Sequence, residues 1–287
     1  MLLEIAVGDA YGAGMEYVEP EYTLEHNHLR SYVAHPRHSI APGAYTDDTQ
    51  LSVAIAEAIV DDAPWTRAEI ADRFVAAFKR DPRQGYASRF YQLLLELRDG
   101  AELLERIDPR SDKSGAAMRA VPIGVYPSVD EVVARCTLQA SLTHDTPEGI
   151  SAACAAALSA HYFLHRRGPR DRLGRFLAAA VPGPGGWDEP WEGRVGAKGW
   201  MSVRAAVTAI QSHGSLSEIL RACVAYTGDV DTVAAIAMGA ASCAQDVDQD
   251  LPPALVDGLE DGAYGRTYLR QLDERLAERC PALRACR

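Results

Sequence analysis

Apolar residues recur at helical spacing along most of the chain. The first clear stripe has the spacing i, i+4, i+7 and i+8 and consists of Leu51, Ile55, Ala58 and Ile59. A second stripe follows residue 232 and consists of Val233, Ile236, Ala237, Ala240 and Ala241. No stretch alternates apolar and polar residues as a half-buried strand would, and no segment repeats with the period of a solenoid. The pattern therefore predicts an all-α fold.

Breaks at Pro and Gly divide the pattern into separate helices. Thr146-Pro147 is a typical N-cap and first helical residue, and Asp47 to Gln50 has the spacing of a capping box. The predicted helical ranges are 1–13, 51–62, 65–80, 86–98, a short helix within 111–124, 131–142, the segment after 147, 203–210, 216–226, 233–241 and the tail around 269–276.

Two long segments lack helical periodicity. Residues 22–42 contain His26, His28, His35 and His38. They lack thiolates and H-x-x-x-H spacing, so a surface loop is preferred over a metal site. Residues 181–199 are rich in Pro, Gly and Trp, and irregular segments of this length are often functional lids.

Length and charge narrow the function class. The chain has 287 residues, of which 47% are hydrophobic, and its net charge is −11. No linker divides it, so one domain over residues 1–287 is predicted. The acidic balance argues against nonspecific binding to nucleic acid or to acidic membranes.

Cysteine usage and hydropathy indicate a cytoplasmic protein without a membrane span. The six cysteines contain no C-x-x-C pair, and buried free thiols are expected at positions 136, 154, 223, 243, 280 and 286. No apolar run reaches the roughly 20 residues that a membrane helix needs. The apolar start lacks the basic region of a signal peptide.

The candidate chemistry lies in two acidic motifs at predicted helix starts. The first contains Asp47 and Asp48, and the second contains Asp229 and Asp231, each pair flanked by threonines. Either motif alone is explained by helix capping, because Thr and Asp oxygens accept the free N–H groups of a first turn. If the fold brings both motifs together, their carboxylates repel one another unless protons or a cation neutralise them. Ligand sets made of oxygen suit hard divalent ions such as Mg²⁺ or Mn²⁺.

Five ordered motifs resemble the ADP-ribosylglycohydrolase family, which includes the dinitrogenase reductase-activating glycohydrolase. They occur at residues 8–12 with Glu16 following, 45–49, 114–119, 143–144 and 228–235. They span nearly the whole chain, and their order makes the match far more specific than any single motif. The resemblance implies a compact multi-helix domain that binds ADP-ribose, with residues 22–42 as a flap over the site.

The resemblance also assigns roles to individual residues. It implies that a pair of Mg²⁺ or Mn²⁺ ions is bound by Thr46, Asp47, Asp48, Asp229, Asp231 and Thr232. It implies that the diphosphate of ADP-ribose is cradled by backbone N–H groups of Ser114, Gly115, Ala116 and Ala117, and that His144 contacts the ligand. Glu16 is then a candidate sensor, ligand or general base near the scissile bond, with a solvated loop acid as the alternative, and Asp47, Asp48 and Asp229 stabilise the oxocarbenium character that develops there.

Several residues keep two interpretations. Asp9 is expected to be structural, by capping or hydrogen-bonding a neighbouring turn. Arg119 either pairs with the acids of the site or lies on the surface. Trp187, Trp191 and Trp200 either stack on adenine or pack within the protein.

The sequence also departs from the family pattern. Ser114 stands where the family usually has Asn. Thr227 stands where it has Gly, and Val230 stands where it has a small polar residue. Val230 is expected to remove a hydroxyl group near the metal ions.

The implied function is metal-dependent removal of ADP-ribose from a modified substrate, with ADP-ribosyl-arginine on a protein as the leading candidate. Linkages to serine, O-acetyl-ADP-ribose and a nucleic acid base remain alternatives, and nucleic acid is expected only as such a modified substrate. A non-catalytic or structural member of the family that binds ADP-ribose is the rival from another functional class.

Overall fold

The chain folds into helices from end to end. The computed structural model describes residues 1–284, and within that range it contains sixteen α-helices and two 3-10 helices but no β-sheet. The α-helices are, in chain order, α1 Leu2–Ala13, α2 Pro20–His26, α3 Asp47–Val60, α4 Arg67–Arg80, α5 Ser88–Glu96, α6 Gly100–Arg106, α7 Gly115–Met118, α8 Val129–Ser141, α9 Pro147–Leu164, α10 Leu173–Ala180, α11 Gly199–Ser212, α12 Leu216–Ala225, α13 Val230–Ala241, α14 Pro253–Gly258, α15 Arg266–Arg279 and α16 Pro281–Arg284. The 3-10 helices cover Val121–Val125 and Arg170–Arg172.

The predicted all-α class is confirmed, and the helices that follow the two acidic motifs begin where their apolar stripes indicate. The N-cap at Thr146 is also confirmed, since its hydroxyl accepts the N–H of Gly149 at 3.1 Å. Five α-helices lie outside the predicted ranges, namely α2, α6, α10, α14 and α16. Each has ten residues or fewer, which is too short for a repeated stripe to show in the sequence.

The start of α3 differs from the predicted capping box. Its N-cap is Thr46, whose hydroxyl accepts the N–H of Asp48 at 3.4 Å. The carboxylate that accepts further N–H groups of this first turn belongs to Asp9 on α1 rather than to Asp47. Asp47 is the first residue of the helix and is therefore free for another role.

Helices α1 and α13 cross at glycine contacts in the centre of the domain. A Cβ atom on Gly8 would lie 2.6 Å from the carbonyl oxygen of Ala234, and one on Gly12 would lie 2.4 Å from the Cα of Asp231. Such distances leave no room for any side chain. The glycines of α1 therefore allow this helix to lie directly against the start of α13, which carries the second acidic motif.

The cysteines agree with the prediction as far as the structure describes them. Cys136, Cys154, Cys223, Cys243 and Cys280 are all buried, and four of them, Cys136, Cys154, Cys223 and Cys280, are free thiols, whereas Cys286 lies outside the described residues. Among residues 1–284, none of the helices combines the length and apolar character that crossing a membrane requires.

We expect Gly12→Ala to lower the free energy of unfolding by about 1–3 kcal/mol, because the added methyl group would collide with the backbone of α13. Gly262→Ala is the matched control, since a Cβ at that position has no neighbour within 4 Å. Urea unfolding monitored by circular dichroism measures both. Equal stability of the two variants would contradict the close crossing of α1 and α13.

Candidate active site

The two acidic motifs open into one cavity of about 710 Å³. Nine of the residues singled out in the sequence line it, namely Glu16, Asp47, Asp48, Ser114, Gly115, His144, Asp229, Asp231 and Thr232. Thr46, Ala116 and Ala117 do not line it. The structure thus brings together the helix starts of α3 and α13, which lie more than 180 residues apart in the sequence.

Asp9 of α1 holds the first acidic motif in place. Its carboxylate is fully buried and accepts the backbone N–H groups of Thr46 and Thr49 at 3.0 Å each. It also accepts their hydroxyl groups, at 2.8 Å from Thr46 and 2.6 Å from Thr49. The structural role expected for Asp9 is confirmed. The hydroxyl of Thr46, expected to be a metal ligand, donates its proton to Asp9 and does not line the cavity.

The long loop between α10 and α11 holds the second acidic motif. Val195 donates its N–H to the carbonyl of Thr227 at 3.0 Å, and its carbonyl accepts the N–H of Asp229 at 3.2 Å. Thr227 and Gly228 both have positive φ, 62° and 93°, and a Cβ on Gly228 would lie 1.8 Å from the carbonyl oxygen of Val195. This end of the loop is therefore a backbone support for Asp229.

The two departures in the second motif affect the backbone rather than the cavity. Thr227 adopts the left-handed conformation that glycine takes without strain, which costs a threonine on the order of 1 kcal/mol. The side chain of Val230 is buried in the core and does not line the cavity. Its methyl groups therefore do not replace a hydroxyl at the acids, contrary to the expectation.

The carboxylates lie close enough to perturb one another. Oxygens of Glu16, Asp229 and Asp231 lie within 4.8 Å of one another. Burial, followed by repulsion from Glu16, raises the pKa of Asp229 to about 6. Burial and neighbouring carboxylates also raise the pKa values of Asp47, Asp48 and Asp231 well above their ordinary value.

One oxygen of the cluster has no partner among the described residues. Asp48 Oδ1 is buried and receives no hydrogen bond, although an unpaired buried carboxylate oxygen is costly. A divalent cation would satisfy that oxygen and cancel the repulsion within the cluster. The all-oxygen donor set and the unpaired Asp48 oxygen together fit Mg²⁺ or Mn²⁺.

The small-residue loop contributes less to the cavity than expected. Ala116 and Ala117 are fully buried, and the N–H of Ala117 donates to the carbonyl of Ser114 at 2.8 Å. Ala117 therefore has no free N–H group for a phosphate, which corrects the expectation for this residue. Ser114 and Gly115 remain at the cavity surface, and the Ser114 hydroxyl is hydrogen-bonded to Asp229.

His144 is held at the cavity by a buried arginine. Arg119 is 1% exposed and donates to the hydroxyl of Thr143 at 2.8 Å, and that hydroxyl lies 2.7 Å from His144 Nδ1. The Thr143 proton then points to Nδ1, which assigns the ring proton to Nε2. This nitrogen lies beside Gly115, where an added Cβ would be 3.2 Å away. His144 can therefore donate to a ligand in the cavity.

Arg119 is not on the surface and makes no ion pair among the described residues, although it lines the same cavity as the acids and the charge of Asp47 acts on it. It donates to Gln139 as well as to Thr143, and its guanidinium lies over the ring of Phe74 at 4.4 Å. Burial lowers the pKa of Arg119 to about 9. The hydroxyl of Thr143 and the amide of Gln139, both buried, were not linked to it by any signal in the sequence.

Apolar and basic side chains also line the cavity. Phe90, Leu93 and Ile107 line it together with Arg89 and Arg110. Sequence reasoning missed these residues, because a stripe on α5 reports burial without saying what the helix faces. The three tryptophans do not line the cavity: Trp187 is buried, and Trp191 packs edge-to-face on Trp200 at 5.7 Å. Their packing role is confirmed.

The histidine-rich segment is irregular and largely exposed after residue 26, as expected, and only its first residues form α2. Within residues 1–284, the group of acids, histidines and cysteines arranged to bind a metal consists of Glu16, Asp229 and Asp231 and includes none of these histidines. His35 instead contacts the site through Glu16, with its Nε2 atom 2.8 Å from Glu16 Oε2.

A family model described as ADP-ribosylglycohydrolase matches residues 1–285. The chain belongs to the ADP-ribosylglycohydrolase family. The resemblance seen in the five motifs is thereby confirmed over nearly the whole chain, and the family name describes hydrolases of the glycosidic bond to ADP-ribose.

Three relatives show how similarity is distributed along the chain. An ADP-ribosylhydrolase ARH3 from Xenopus tropicalis is 30% identical over 128 residues, a match that covers 42% of this chain and 37% of that protein. ADP-ribosylarginine hydrolase Tri1 from Pseudomonas putida (strain GB-1) is 22% identical, with 98% of this chain and 77% of that protein covered. ADP-ribosyl-[dinitrogen reductase] glycohydrolase from Rhodospirillum rubrum is 24% identical, with 96% and 94% covered.

The fold is also known among solved structures. A chain described as an ADP-ribosylglycohydrolase-related protein complex superposes with a TM-score of 0.76 at 23% identity, covering 97% of this chain and 96% of that one. At this identity the match supports the fold alone, and the predicted multi-helix domain of this family is confirmed.

The raised pKa values predict how stability of the metal-free protein depends on pH. A folded carboxyl whose pKa is raised keeps a proton that the unfolded chain has released, so its contribution to stability falls as pH rises. For Asp229 the contribution to stability falls between pH 3.8, its ordinary pKa, and about pH 6, its raised pKa. For Asp48 the fall starts at the same pH and extends well above it. Asp48→Asn should therefore become increasingly more stable than the wild type as pH rises from about 4 to 8 in EDTA.

The comparison with Asp48→Asn isolates this effect from groups that act in the opposite direction, such as His144, whose pKa burial lowers to about 3. Thermal unfolding with EDTA and with Mg²⁺ or Mn²⁺ provides the measurement. Added cation should raise the melting temperature of the wild type more than that of Asp48→Asn. A stability difference that does not change with pH or with cation would contradict the proposed strain among the acids.

Proposed function

We propose that this protein is a hydrolase that removes ADP-ribose from a modified substrate with the help of bound divalent cations. The observation that carries the proposal is the meeting of Glu16, Asp47, Asp48, Asp229 and Asp231 in one cavity of about 710 Å³. A cavity of this size is in the range that encloses a nucleotide-sized ligand. An acid cluster of this kind has a clear use only if cations and ligand occupy it.

Two parts of the cavity lining suit the two halves of ADP-ribose. At the acids, the substrate ribose would lie against Asp47, Asp48 and Asp229. The apolar side chains of Phe90 and Ile107 offer contacts for a purine base. Ser114, Gly115 and His144 lie along the wall, where the N–H group of Gly115 and the Nε2–H of His144 would face the diphosphate. Arg110 and Lys113 add positive charge there.

The cations are proposed to be two Mg²⁺ or Mn²⁺ ions held by Asp47, Asp48, Asp229, Asp231 and Thr232. When bound, such ions would orient the ribose hydroxyls and a water molecule at the anomeric carbon. Thr46 is proposed as a further ligand, because its hydroxyl donates its proton to Asp9 and so keeps an oxygen lone pair for a cation.

The chain's own side chains would manage charge and protons. Breaking the glycosidic bond gives the ribose oxocarbenium character, which the carboxylates of Asp47, Asp48 and Asp229 stabilise. Glu16 would accept the proton of the attacking water as general base, since its carboxylate reaches the same group of oxygens as Asp229 and Asp231. His144 would hold the ligand by hydrogen bonding and, because burial lowers its pKa to about 3, would do so as a neutral imidazole.

The leading substrate is ADP-ribosyl-arginine on a protein. Two relatives that align over nearly all of this chain support it, because one is named an ADP-ribosylarginine hydrolase and the other is named for ADP-ribosylated dinitrogen reductase. Serine-linked ADP-ribose, O-acetyl-ADP-ribose and an ADP-ribosylated base are outcomes that the same assay distinguishes.

The direct test supplies the protein with Mg²⁺ or Mn²⁺ and a panel of these ADP-ribosylated substrates, with release of free ADP-ribose as the readout. We expect release from the arginine-linked substrate by the wild type. Asp47→Ala and Asp229→Ala should lower the rate at least about 100-fold, since each removes a ligand from the cluster. Glu148→Ala, an exposed acid in the first turn of α9, is the control with unchanged activity.

Two results would overturn the proposal. Equal activity of the two aspartate variants and the wild type would exclude the acid cluster from the reaction. No release from any substrate, together with an ADP-ribose-dependent rise in melting temperature, would identify a binding protein without turnover.

A second prediction tests the apolar part of the cavity lining. Phe90→Ala should raise KM for the ADP-ribosylated substrate about 5–30-fold while changing kcat little, because the lost contact with the base amounts to about 1–2 kcal/mol of binding. Leu95→Ala on the same helix is the matched control, since Leu95 is exposed and does not line the cavity. If both variants bind substrate as the wild type does, the base lies elsewhere.

A further inference from the structure

His35 lies in the irregular segment between α2 and α3 and reaches the active site. The residue is only 7% exposed, although its neighbours Pro36, Arg37 and His38 are exposed. Its Nε2 atom lies 2.8 Å from Oε2 of Glu16. A buried imidazole at this distance from a carboxylate makes a directional hydrogen bond.

The local backbone determines which ring nitrogen carries the proton. His35 Nδ1 accepts the N–H groups of Arg37 and His38, each at 3.0 Å. A nitrogen that accepts two N–H groups has its lone pair in use and carries no proton, so the proton is on Nε2. His35 is therefore oriented as a donor to Glu16 by its own turn.

Glu16 needs such a donor because its other neighbours repel it. Its carboxylate shares the region of Asp229 and Asp231, within 4.8 Å of an oxygen of each. Without an attractive partner the side chain would turn toward solvent, where a carboxylate is better hydrated.

The backbone after Glu16 is held by the same turn and by the second acidic motif. Tyr17 has a φ of 52°, which is strained for a tyrosine, and its N–H donates to the carbonyl of Gly228 at 2.9 Å. The guanidinium of Arg37 lies over the Tyr17 ring at 5.1 Å. The segment 35–38 thus contacts Glu16 through its side chain and Tyr17 through its ring.

We propose that His35 is a positioning residue that fixes the Glu16 carboxylate beside the second acidic motif. Its Nε2–H directs Glu16 toward the place where the attacking water would lie, and its Nδ1 joins it rigidly to the turn. The kinetic consequence rests on the proposed function, whereas the hydrogen bond itself does not.

Two substitutions distinguish the hydrogen bonds of His35 Nδ1 from the hydrogen bond of His35 Nε2. His35→Asn keeps an acceptor near the position of Nδ1 for the N–H groups of Arg37 and His38 but is too short to reach Glu16. His35→Gln keeps a donor near the position of Nε2 but loses the turn acceptor.

If His35 acts through Glu16, His35→Asn should keep the melting temperature and lower kcat about 10–100-fold with little change in KM, because displacing a reacting group by about 1 Å costs rate rather than binding. His35→Gln should recover much of kcat at some loss of stability.

The same substitution in a Glu16→Ala background distinguishes positioning from a general structural role. There, His35→Asn should change the remaining kcat by less than about twofold, since two residues that act as a unit are not additive. Wild-type kcat in His35→Asn, equal loss in His35→Asn and His35→Gln, or full additivity in the double variant would each overturn the proposal.

A spectroscopic measurement tests the hydrogen bond between His35 and Glu16 even if no substrate is turned over. Two-dimensional ¹H–¹⁵N spectra of the histidine rings should show His35 as the Nε2-protonated tautomer, with a signal that shifts in Glu16→Ala. An Nδ1-protonated ring, or a ring signal that does not respond to Glu16→Ala, would overturn the proposal. Wild-type inactivity on the whole substrate panel would instead count against the proposed function, with the ring spectra still deciding the role of His35.

Discussion

The active site depends on the contacts that α1 makes with the two helix starts that carry the acidic motifs. Asp9 accepts four hydrogen bonds from Thr46 and Thr49 and so fixes the start of α3. One turn further along the same helix, Gly12 touches the backbone of Asp231 and so fixes the start of α13. A single rigid helix therefore sets the distance between two carboxylate pairs that are remote in sequence.

The buried aspartates lower the stability of the metal-free protein and favour the binding of a cation. The buried aspartates have raised pKa values, chiefly because burial disfavours their charge, and Asp48 has an unpaired oxygen. A hydrogen bond within the protein could have satisfied Asp48 Oδ1, as such bonds satisfy Asp9. A site that leaves this oxygen unpaired and holds its carboxylates close together is destabilising in the metal-free protein and gains free energy when a cation binds. The supports of the site accordingly come from elsewhere, through Asp9, Val195 and His35.

Sequence patterns predicted the helices well but the cavity only in part. Stripes such as the one beginning at Leu51 are local, so they can be recognised without knowing the fold. The ordered motifs identified the acid pairs and Glu16 through family resemblance. The free N–H groups of the 114–117 loop could not be assigned in this way, because whether Ala117 donates within its own turn depends on backbone geometry.

The residues that sequence reasoning missed act through tertiary contacts. Phe90 looked like an ordinary helix residue, and the burial of Arg119 depends on partners 20 and 24 residues away. His35 was grouped with three other histidines and assigned to a surface loop. Its role is visible only once the turn at 37–38 and Glu16 are seen on opposite sides of its ring.

The most direct test of the account is anomalous diffraction from crystals grown with Mn²⁺. We expect anomalous peaks within coordination distance of Asp48 Oδ1 and of the carboxylates of Asp47, Asp229 and Asp231, since a hard cation takes these oxygens as ligands at about 2.0–2.2 Å. Manganese bound only at surface acids, with the cavity free of anomalous density at saturating concentration, would contradict the claim that the two acidic motifs form one cation site.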